Sequence, residues 1–369
     1  MKKLRIGIIG CGGIANNKHF PALKTQGDKC EIVAFCDVVK ERADKAAKEF
    51  GTADAKVYTD YNELLKDKSI DVVHVLTPNV SHSPITVASF EAGKHVLCEK
   101  PMAHNTEAAE KMIAAWKKSG KKFTIGYQNR FRKEVTSLQQ ACAKDELGDI
   151  YFAKAHALRR RAVPTWGVFP DKSQQGGGPL IDIGTHALDI TLWMMDNYEP
   201  VSVTGSVFQK LGVLEHGPEG NMFGPWDPKT YEVEDSAFGY IKMKNGATIF
   251  LESSWALNVV ESKEAATTLC GTKAGAEIKA GMSYANNKLI FNKAHNGMLV
   301  EEENSAGGAI AFFEGGNAKP EVLEAKQWLE AVLNNTEPLV KPEQAFIVTK
   351  ILDSIYKSAE TGKEVLFED

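Results

Sequence analysis

The chain has 369 residues, and its 44 lysines and arginines against 48 aspartates and glutamates give a formal net charge of −4. Hydrophobic residues make up 43% and charged residues 25%, which is typical of globular proteins and excludes a disordered or fibrous chain. The length predicts about two domains, and the acidic balance argues against nucleic acid as the main partner.

Residues 1–128 alternate short β-branched segments with helical ones, a pattern typical of a parallel sheet covered by helices. The clearest helix covers 105–119, where apolar residues recur at helical spacing before Gly120. Six strands in two successive βαβ runs is the number expected of a doubly wound Rossmann domain. The predicted strands are 4–9, 31–36, 56–58, 71–76, 95–98 and 122–126.

After about residue 130 the alternating segments become longer, which predicts an α/β domain with a large, open and mostly antiparallel sheet. We therefore predict an N-terminal domain at 1–128 and a second domain at 129–369. A stretch rich in glycine and proline at 211–230 predicts a long loop. The predicted helices of the second domain are 133–146, 320–334 and 342–360, and its predicted strands include 151–158, 201–208, 231–243 and 247–255.

The segment Gly10-Cys11-Gly12-Gly13-Ile14-Ala15 fits the dinucleotide pattern G-x-G-x-x-[G/A] and directly follows the first predicted strand. Asp37 ends the second predicted strand. In this context, glycines let backbone N–H groups approach a pyrophosphate, and the carboxylate accepts hydrogen bonds from ribose hydroxyls. A carboxylate also repels a 2′-phosphate, so NAD is favoured over NADP. The alternative is a glycine-rich turn beside a solvated aspartate.

Two polar loops follow the next predicted strands, namely Thr77-Pro78-Asn79 with His82 and Glu99-Lys100-Pro101. Both leave the carboxyl ends of parallel strands, where doubly wound sheets bind their ligands. Lys100 is therefore the first catalytic candidate. The alternative is an exposed loop lysine.

A second constellation lies in Gly176-Gly177-Gly178-Pro179, which is followed by Asp182 and His186. If Pro179 lies in a first helical turn, Asp182 and His186 share one helix face because they are four residues apart. A carboxylate beside a histidine orients the ring and favours its charged form, which suits proton transfer near neutral pH. The alternative is an aspartate that only complements the helix dipole.

In their order and approximate spacing, these four segments resemble the family of glucose-fructose oxidoreductase and inositol dehydrogenase (Gfo/Idh/MocA). The resemblance covers essentially the whole chain. It implies a Rossmann domain followed by an α/β domain with an open sheet, which commonly mediates dimers or tetramers. It also implies hydride transfer between NAD and a hydroxyl-bearing carbon of a sugar, glycoside or polyol.

The resemblance also implies the site residues. His186 would accept the hydroxyl proton, while Lys100 would bind the same oxygen and stabilise its charge. Asp182 would bind substrate hydroxyls and tune His186. The cofactor-binding residues carried over in this way are Gly10, Gly12, Gly13, Ile14, Ala15, Asp37, Thr77, Pro78, Asn79, His82, Glu99, Lys100 and Gln128.

Three further residues are candidates for binding the substrate. Arg160 and Trp166 lie shortly before the triple glycine, and His156 lies on the preceding predicted strand. A guanidinium fork suits hydroxyls or carboxylates, and an indole face suits a sugar ring. The alternative is a basic strand end with a packing tryptophan.

The cysteines show no C-x-x-C pair and no regular spacing, which predicts free thiols in a reducing compartment and no metal site. The sequence contains no apolar run of about 18 residues, so we expect a cytoplasmic protein that binds no membrane. The cysteines are Cys11, Cys30, Cys36, Cys98, Cys142 and Cys270.

Two other functions remain open. An NAD-dependent glycosidase, also found in this family, would oxidise its substrate transiently and leave NAD unchanged after each turnover. A non-catalytic regulator would bind dinucleotide and sugar without turnover. Since Lys100, Asp182 and His186 are all present, we expect an NAD-dependent dehydrogenase of CH–OH groups.

Overall fold

Two β-sheets organise the protein, and each belongs to its own compact unit. This computed structural model describes residues 3–282, 287–305 and 318–367. The first unit contains residues 3–128 and 318–346, and the second contains the other described residues. The first unit is therefore discontinuous in sequence, because residues 318–346 return to it, and the domain bounds at 128 and 129 stay a prediction.

The strands are short in the first unit and longer in the second. They are β1 (Leu4–Ile9), β2 (Cys30–Cys36), β3 (Lys56–Tyr58), β4 (Val72–Val75), β5 (His95–Cys98), β6 (Phe123–Ile125), β7 (Ile150–Leu158), β8 (Pro200–Phe208), β9 (Ser236–Met243), β10 (Thr248–Ser254), β11 (Lys263–Gly271), β12 (Gly275–Lys279), β13 (Lys288–His295), β14 (Met298–Ser305) and β15 (Val365–Leu366).

Helices alternate with the strands of the first unit, and the second unit contains further helices. They are α1 (Phe20–Lys24), α2 (Lys40–Phe50), α3 (Tyr61–Leu65), α4 (His82–Glu91), α5 (Thr106–Ser119), α6 (Lys133–Ala143), α7 (Lys172–Gln175), α8 (Thr185–Met195), α9 (Pro320–Leu333) and α10 (Pro342–Thr361). Within the described ranges, none of the helices combines the length and the apolar character needed to cross a bilayer.

The first sheet confirms the predicted Rossmann architecture. Its six strands all pair in parallel, in the spatial order β3-β2-β1-β4-β5-β6. The strand order reverses between β1 and β4. The loops that follow these two strands therefore meet at the point where such sheets bind ligands.

The core of the first unit includes side chains from the returning segment. Ile6, Ile8 and Phe35 from the sheet are fully buried, and they belong to one apolar cluster with Trp328 and Leu329 of α9. Helix α9 also packs against α1. The returning helix therefore completes this core.

The second sheet has nine strands in the order β14-β13-β12-β11-β7-β10-β9-β8-β15. Its neighbours pair antiparallel except for β7 and β10, which are parallel. This confirms the predicted, mostly antiparallel sheet. Helix α8 packs on β7 and β11, and the fully buried Ala153, Ala155 and Ala157 of β7 give it room because their side chains are short.

Two predicted elements of the second unit are shorter than expected. The strand predicted at 231–243 begins only at Ser236, because the Asp235 carboxylate accepts the Gly212 N–H at 2.8 Å and so ties this segment to a loop. The helix predicted at 133–146 ends at Ala143, since Asp145 has a left-handed backbone with φ 60°.

We predict that Trp328→Ala lowers the free energy of unfolding by about 3–5 kcal/mol, because it leaves a cavity in the core of the first unit. Lys326→Ala is the control on the same helix. Its side chain is exposed, so the expected change is within about 0.5 kcal/mol. Denaturant unfolding followed by circular dichroism measures both variants. Equal losses would contradict the role of α9 in this core.

Candidate active site

The glycine loop, residues 10–15, connects β1 to a helical segment that begins at Gly13. Gly10 has φ 97°, and a Cβ there would overlap the carbonyl oxygen of Leu76, so glycine is required. A Cβ on Gly12 or Gly13 would meet no atom of the described residues within 4 Å. This open space at a helix N-terminus fits a pyrophosphate, which backbone N–H groups can bind.

The carboxylate of Asp37 closes one side of the glycine loop. Its Oδ2 accepts the Cys11 N–H and its Oδ1 accepts the Val39 N–H, each at 2.9 Å. Each carboxylate oxygen has room for about two hydrogen bonds, so both keep capacity for ribose hydroxyls. The Asp37 carboxylate therefore lies beside the glycine loop, and its role in binding ribose hydroxyls stays a prediction.

The loop with Lys100 is supported by two side chains that we predicted as cofactor ligands. His82 Nδ1 lies 2.7 Å from the carbonyl oxygen of Pro101, and its Nε2 lies 2.9 Å from that of Thr77. The Lys100 N–H donates to Glu99 Oε2 at 3.0 Å. Burial lowers the pKa of His82, while the two carbonyl oxygens oppose this shift. His82 and Glu99 therefore hold the loops through their own hydrogen bonds.

The remaining predicted cofactor residues surround the same sheet edge. Ile14 is exposed on the glycine loop, whereas Ala15 is buried beneath it. Thr77 and Pro78 lead into a short 3₁₀ turn that Asn79 begins. The side chain of Gln128, which follows β6, accepts a hydrogen bond from Lys18 Nζ at 3.2 Å.

In the second unit, Asp182 lies in a π-helical turn, Leu180–Gly184, that runs directly into α8. The spacing predicted a regular α-helix here, so the wider turn is a correction. Such turns are rare and occur often at functional sites. Asp182 Oδ2 accepts the indole N–H of Trp255 at 3.0 Å, and His186 is buried as the second residue of α8.

The triple glycine before this turn is required by packing. A Cβ on Gly177 would overlap the hydroxyl of Tyr356, and a Cβ on Gly178 would overlap the backbone of Glu234. The buried Glu234 carboxylate accepts the N–H groups of Gly178 at 2.8 Å and Leu180 at 3.1 Å, and the Tyr356 hydroxyl at 2.7 Å. Burial raises the pKa of Glu234. Glu234 therefore caps the π-helical turn.

His156 does not join Asp182 and His186. Its Nδ1 lies 2.6 Å from Glu252 Oε2, and its Nε2 lies 3.4 Å from Thr268 Oγ1. Strand alternation places His156 on the sheet face opposite the alanines that contact α8. The π-helical turn packs on the strands from the α8 side.

The three arginines after β7 have different environments. Arg159 makes a two-pronged ion pair with Glu264, at 2.8 and 2.6 Å. Arg161 Nη2 donates to Asn258 Oδ1 at 2.7 Å. Arg160 is exposed. Arg161 is half-buried and Arg159 is buried, so Arg160 is the most exposed of the three.

Trp166 begins a row of aromatic contacts that leads to Asp182. Its side chain is half exposed, and its ring makes edge contacts with Phe223 at 4.8 Å and with Phe169 at 5.8 Å between centroids. Phe169 contacts the ring of Trp255 at 6.1 Å. Since Trp255 donates to Asp182, the exposed indole is connected through two rings to a predicted catalytic residue.

Sequence reasoning missed several residues that support these sites. They are charged or polar groups whose partners are far away in sequence, so no local spacing marks them. The residues missed are Lys18, His19, Glu234, Trp255, Glu324 and Tyr356.

Within the described ranges, no group of three or more histidine, cysteine or acidic side chains is placed to hold a metal ion.

Comparison with known proteins matches both units. Residues 4–127 match the Gfo/Idh/MocA model described as an oxidoreductase family with an NAD-binding Rossmann fold. Residues 140–367 match the model of the same family's C-terminal alpha/beta domain.

Two curated relatives and one solved structure illustrate the likeness. The chain is 36% identical over 362 residues to the D-glucoside 3-dehydrogenase of Escherichia coli K12, across 98% of this chain and 97% of that protein. It is 32% identical over 276 residues to the glucose-6-phosphate 3-dehydrogenase of Bacillus subtilis 168, across 73% and 70%. A levoglucosan dehydrogenase in complex with NADH and levoglucosan has the same fold, with a TM-score of 0.82, 21% identity and 99% of each chain covered.

We predict that Asp37→Ala weakens NAD binding by about 10- to 100-fold, the loss expected when hydrogen bonds to a charged acceptor are removed. The ratio of kcat/KM for NADP to that for NAD should rise, because the charge that repels a 2′-phosphate is gone. Steady-state kinetics with both cofactors measure this. Asp44→Ala, an exposed change on α2, is the control, and a wild-type preference for NADP would contradict the assignment of Asp37.

Proposed function

The chain belongs to the Gfo/Idh/MocA family of NAD-binding oxidoreductases, and we propose that it oxidises the C3 hydroxyl of a D-glucoside, or reduces the 3-keto product. The observation that carries this proposal is the likeness to a D-glucoside 3-dehydrogenase over nearly the whole chain. A second relative is named for oxidation at the same carbon of a glucose derivative. The polar and aromatic side chains around Asp182 suit a ring that carries hydroxyls and an apolar face.

NAD supplies the hydride acceptor. The glycine loop and Asp37 would hold its pyrophosphate and ribose. His186 would accept the proton of the reacting hydroxyl, and Lys100 would donate a hydrogen bond to the same oxygen and stabilise its developing charge. Asp182, whose Oδ2 accepts the Trp255 N–H, would bind a substrate hydroxyl and favour the charged form of His186.

Trp166 and Arg160 are the proposed specificity residues. The exposed indole face of Trp166 would cover the apolar face of the sugar or its aglycone. The exposed guanidinium of Arg160 would bind hydroxyls. Because His156 is bound to Glu252 on the other face of the sheet, we no longer propose it as a substrate ligand.

We also propose that the protein forms a homodimer or homotetramer through the second sheet. On the face opposite α8, Phe152, Phe250 and Tyr240 form a ladder with ring centroids 5.7 and 5.1 Å apart, and Phe250 is exposed. A second copy of this face would cover these rings, and sedimentation measures the assembly.

All six cysteines are free, which supports our proposal of a reducing, cytoplasmic location.

The proposed reaction is tested by incubating the chain and NAD with methyl glucosides, free glucose and myo-inositol. We expect NADH in stoichiometric amount with a 3-keto glycoside, identified by mass spectrometry and NMR. Release of free sugar without net NADH would replace the dehydrogenase by an NAD-dependent glycosidase. Tight NAD binding without turnover on any compound would instead indicate a regulator.

The acid-base assignment predicts how the pH profile changes. We expect kcat/KM for oxidation to rise with pH as His186 loses its proton, and His186→Ala to remove this limb. Lys100→Ala should lower kcat by about two to four orders of magnitude and keep the limb. Profiles of the wild type and both variants on one substrate measure this. A limb that survives in His186→Ala would show that Lys100 is the base.

A further inference from the structure

Four charged or titratable side chains meet in the interior of the first unit, and we call them the Lys18 cluster. Lys18 Nζ lies 2.6 Å from Glu99 Oε1 and 2.9 Å from Glu324 Oε2. His19 Nε2 lies 2.8 Å from the same Glu99 oxygen. All four residues are buried. Such a cluster is costly to desolvate, so each charge requires a partner.

The cluster joins three segments that are distant in sequence. Lys18 and His19 end a π-helical segment, Ala15–His19, that directly follows the glycine loop. Glu99 immediately precedes the predicted catalytic Lys100, and Glu324 belongs to α9. One buried cluster therefore connects the proposed cofactor loop, the Lys100 loop and the returning helix.

The charges within the cluster follow from its contacts. Burial lowers the pKa of Lys18, but the charges of Glu324 and Glu99 outweigh burial and raise it above its ordinary value. Burial opposes ionisation of Glu99, yet Lys18 and His19 hold its pKa well below the usual range. Burial raises the pKa of Glu324 to about 7, against the opposing effect of Lys18. The contacts therefore favour the charged forms of both Lys18 and Glu99.

Both oxygens of the Glu99 carboxylate have hydrogen-bond partners among the described residues. Its Oε1 receives Lys18 and His19, while its Oε2 receives the backbone N–H of Lys100 at 3.0 Å. A Cβ on Gly126 would lie 2.9 Å from this carboxylate, so the neighbouring strand end approaches it as closely as glycine allows. A carboxylate held in this way fixes the backbone from which the Lys100 side chain extends.

We propose that Glu99 is a positioning residue for Lys100, and that Lys18 and His19 hold it in place. The proposal rests on the proposed function, in which Lys100 binds the reacting oxygen. A displacement of about 1 Å in a group that binds the reacting atoms can lower a rate about 100-fold. Glu99 therefore acts on the reaction through Lys100.

The test uses Glu99→Gln in the full chain. Its amide oxygen can still accept from Lys18, which places the amide nitrogen, a donor, against the Lys100 N–H that Glu99 Oε2 accepts. We expect kcat at saturating NAD to fall about 10- to 100-fold. Hydrogen exchange of peptides that contain the Lys100 amide should become faster, because its acceptor is disturbed. Glu110→Gln, the same change at an exposed residue of α5, is the control and should alter neither kcat nor this exchange.

Two further variants keep the proposal falsifiable. In the variant that combines Lys18→Met, Glu99→Gln and Glu324→Gln, the charges of Lys18 and both carboxylates are absent, so the protein should be more stable than Glu99→Gln alone and part of kcat should return. In a Lys100→Ala background, Glu99→Gln should cause no further loss of kcat, because it acts through Lys100.

The outcomes separate this proposal from the proposed function. Unchanged exchange at Lys100 in Glu99→Gln, or an undiminished loss of kcat in the Lys100→Ala background, would overturn the positioning role. Faster exchange in Glu99→Gln together with an unchanged kcat in Lys100→Ala would keep the positioning role and overturn the assignment of Lys100 in the reaction.

Discussion

The buried ion pair between Lys18 and Glu99 is the interaction on which the arrangement of the first unit depends. Removing Lys18 would leave Glu99 and Glu324 without their cation, and breaking a buried ion pair in this way costs about 3–5 kcal/mol. Replacing both partners by apolar residues is often neutral. The pair therefore contributes more to geometry than to net stability, because it specifies how the glycine loop, the Lys100 loop and α9 meet.

The second unit uses the same physical device beside its own predicted catalytic residues. Glu234 is a buried carboxylate that accepts backbone N–H groups immediately before Asp182, as Glu99 accepts the N–H of Lys100. In both places a glycine stands against the carboxylate-bearing residue, Gly126 beside Glu99 and Gly178 beside Glu234. An added Cβ at Gly126 would meet the Glu99 carboxylate, whereas at Gly178 it would overlap the backbone carbonyl oxygen of Glu234, so a side chain is excluded in both places.

The sequence predicted those features that depend on local periodicity. The six strands of the first sheet are short apolar segments between turn residues, so their positions could be found within one or two residues. The return of α9 could not be predicted, because an amphipathic helix buries its apolar face equally well on either unit. The burial of Glu324 could not be predicted either. A glutamate in a helix indicates a solvated face unless its partner Lys18, about 300 residues away, is known.

The same contrast applies to the predicted site, where features of local sequence could be predicted and contacts between distant residues could not. Asp37 and the glycine loop follow from strand ends and turn chemistry, whereas Trp255, which directly follows β10, reaches Asp182 from 73 residues away in the sequence. The π-helical turn at Asp182 has no recognisable sequence signal, because its wider geometry follows from packing and from the Glu234 cap. Sequence spacing therefore predicted candidate residues for the chemistry and gave no indication of the residues that support them.

The long loop at 211–230 determines how the proposed specificity residue Trp166 is presented. Asn221 donates to the carbonyl oxygen of Val163 and accepts its N–H, at 3.0 and 2.9 Å, as a neighbouring strand would. The Thr165 hydroxyl donates to the Phe223 carbonyl at 2.5 Å. These bonds fix the segment before Trp166, while Asp182 is held separately by Trp255 and its capped turn. Changes in the loop can therefore alter the surface offered to a substrate and leave the position of Asp182 unchanged.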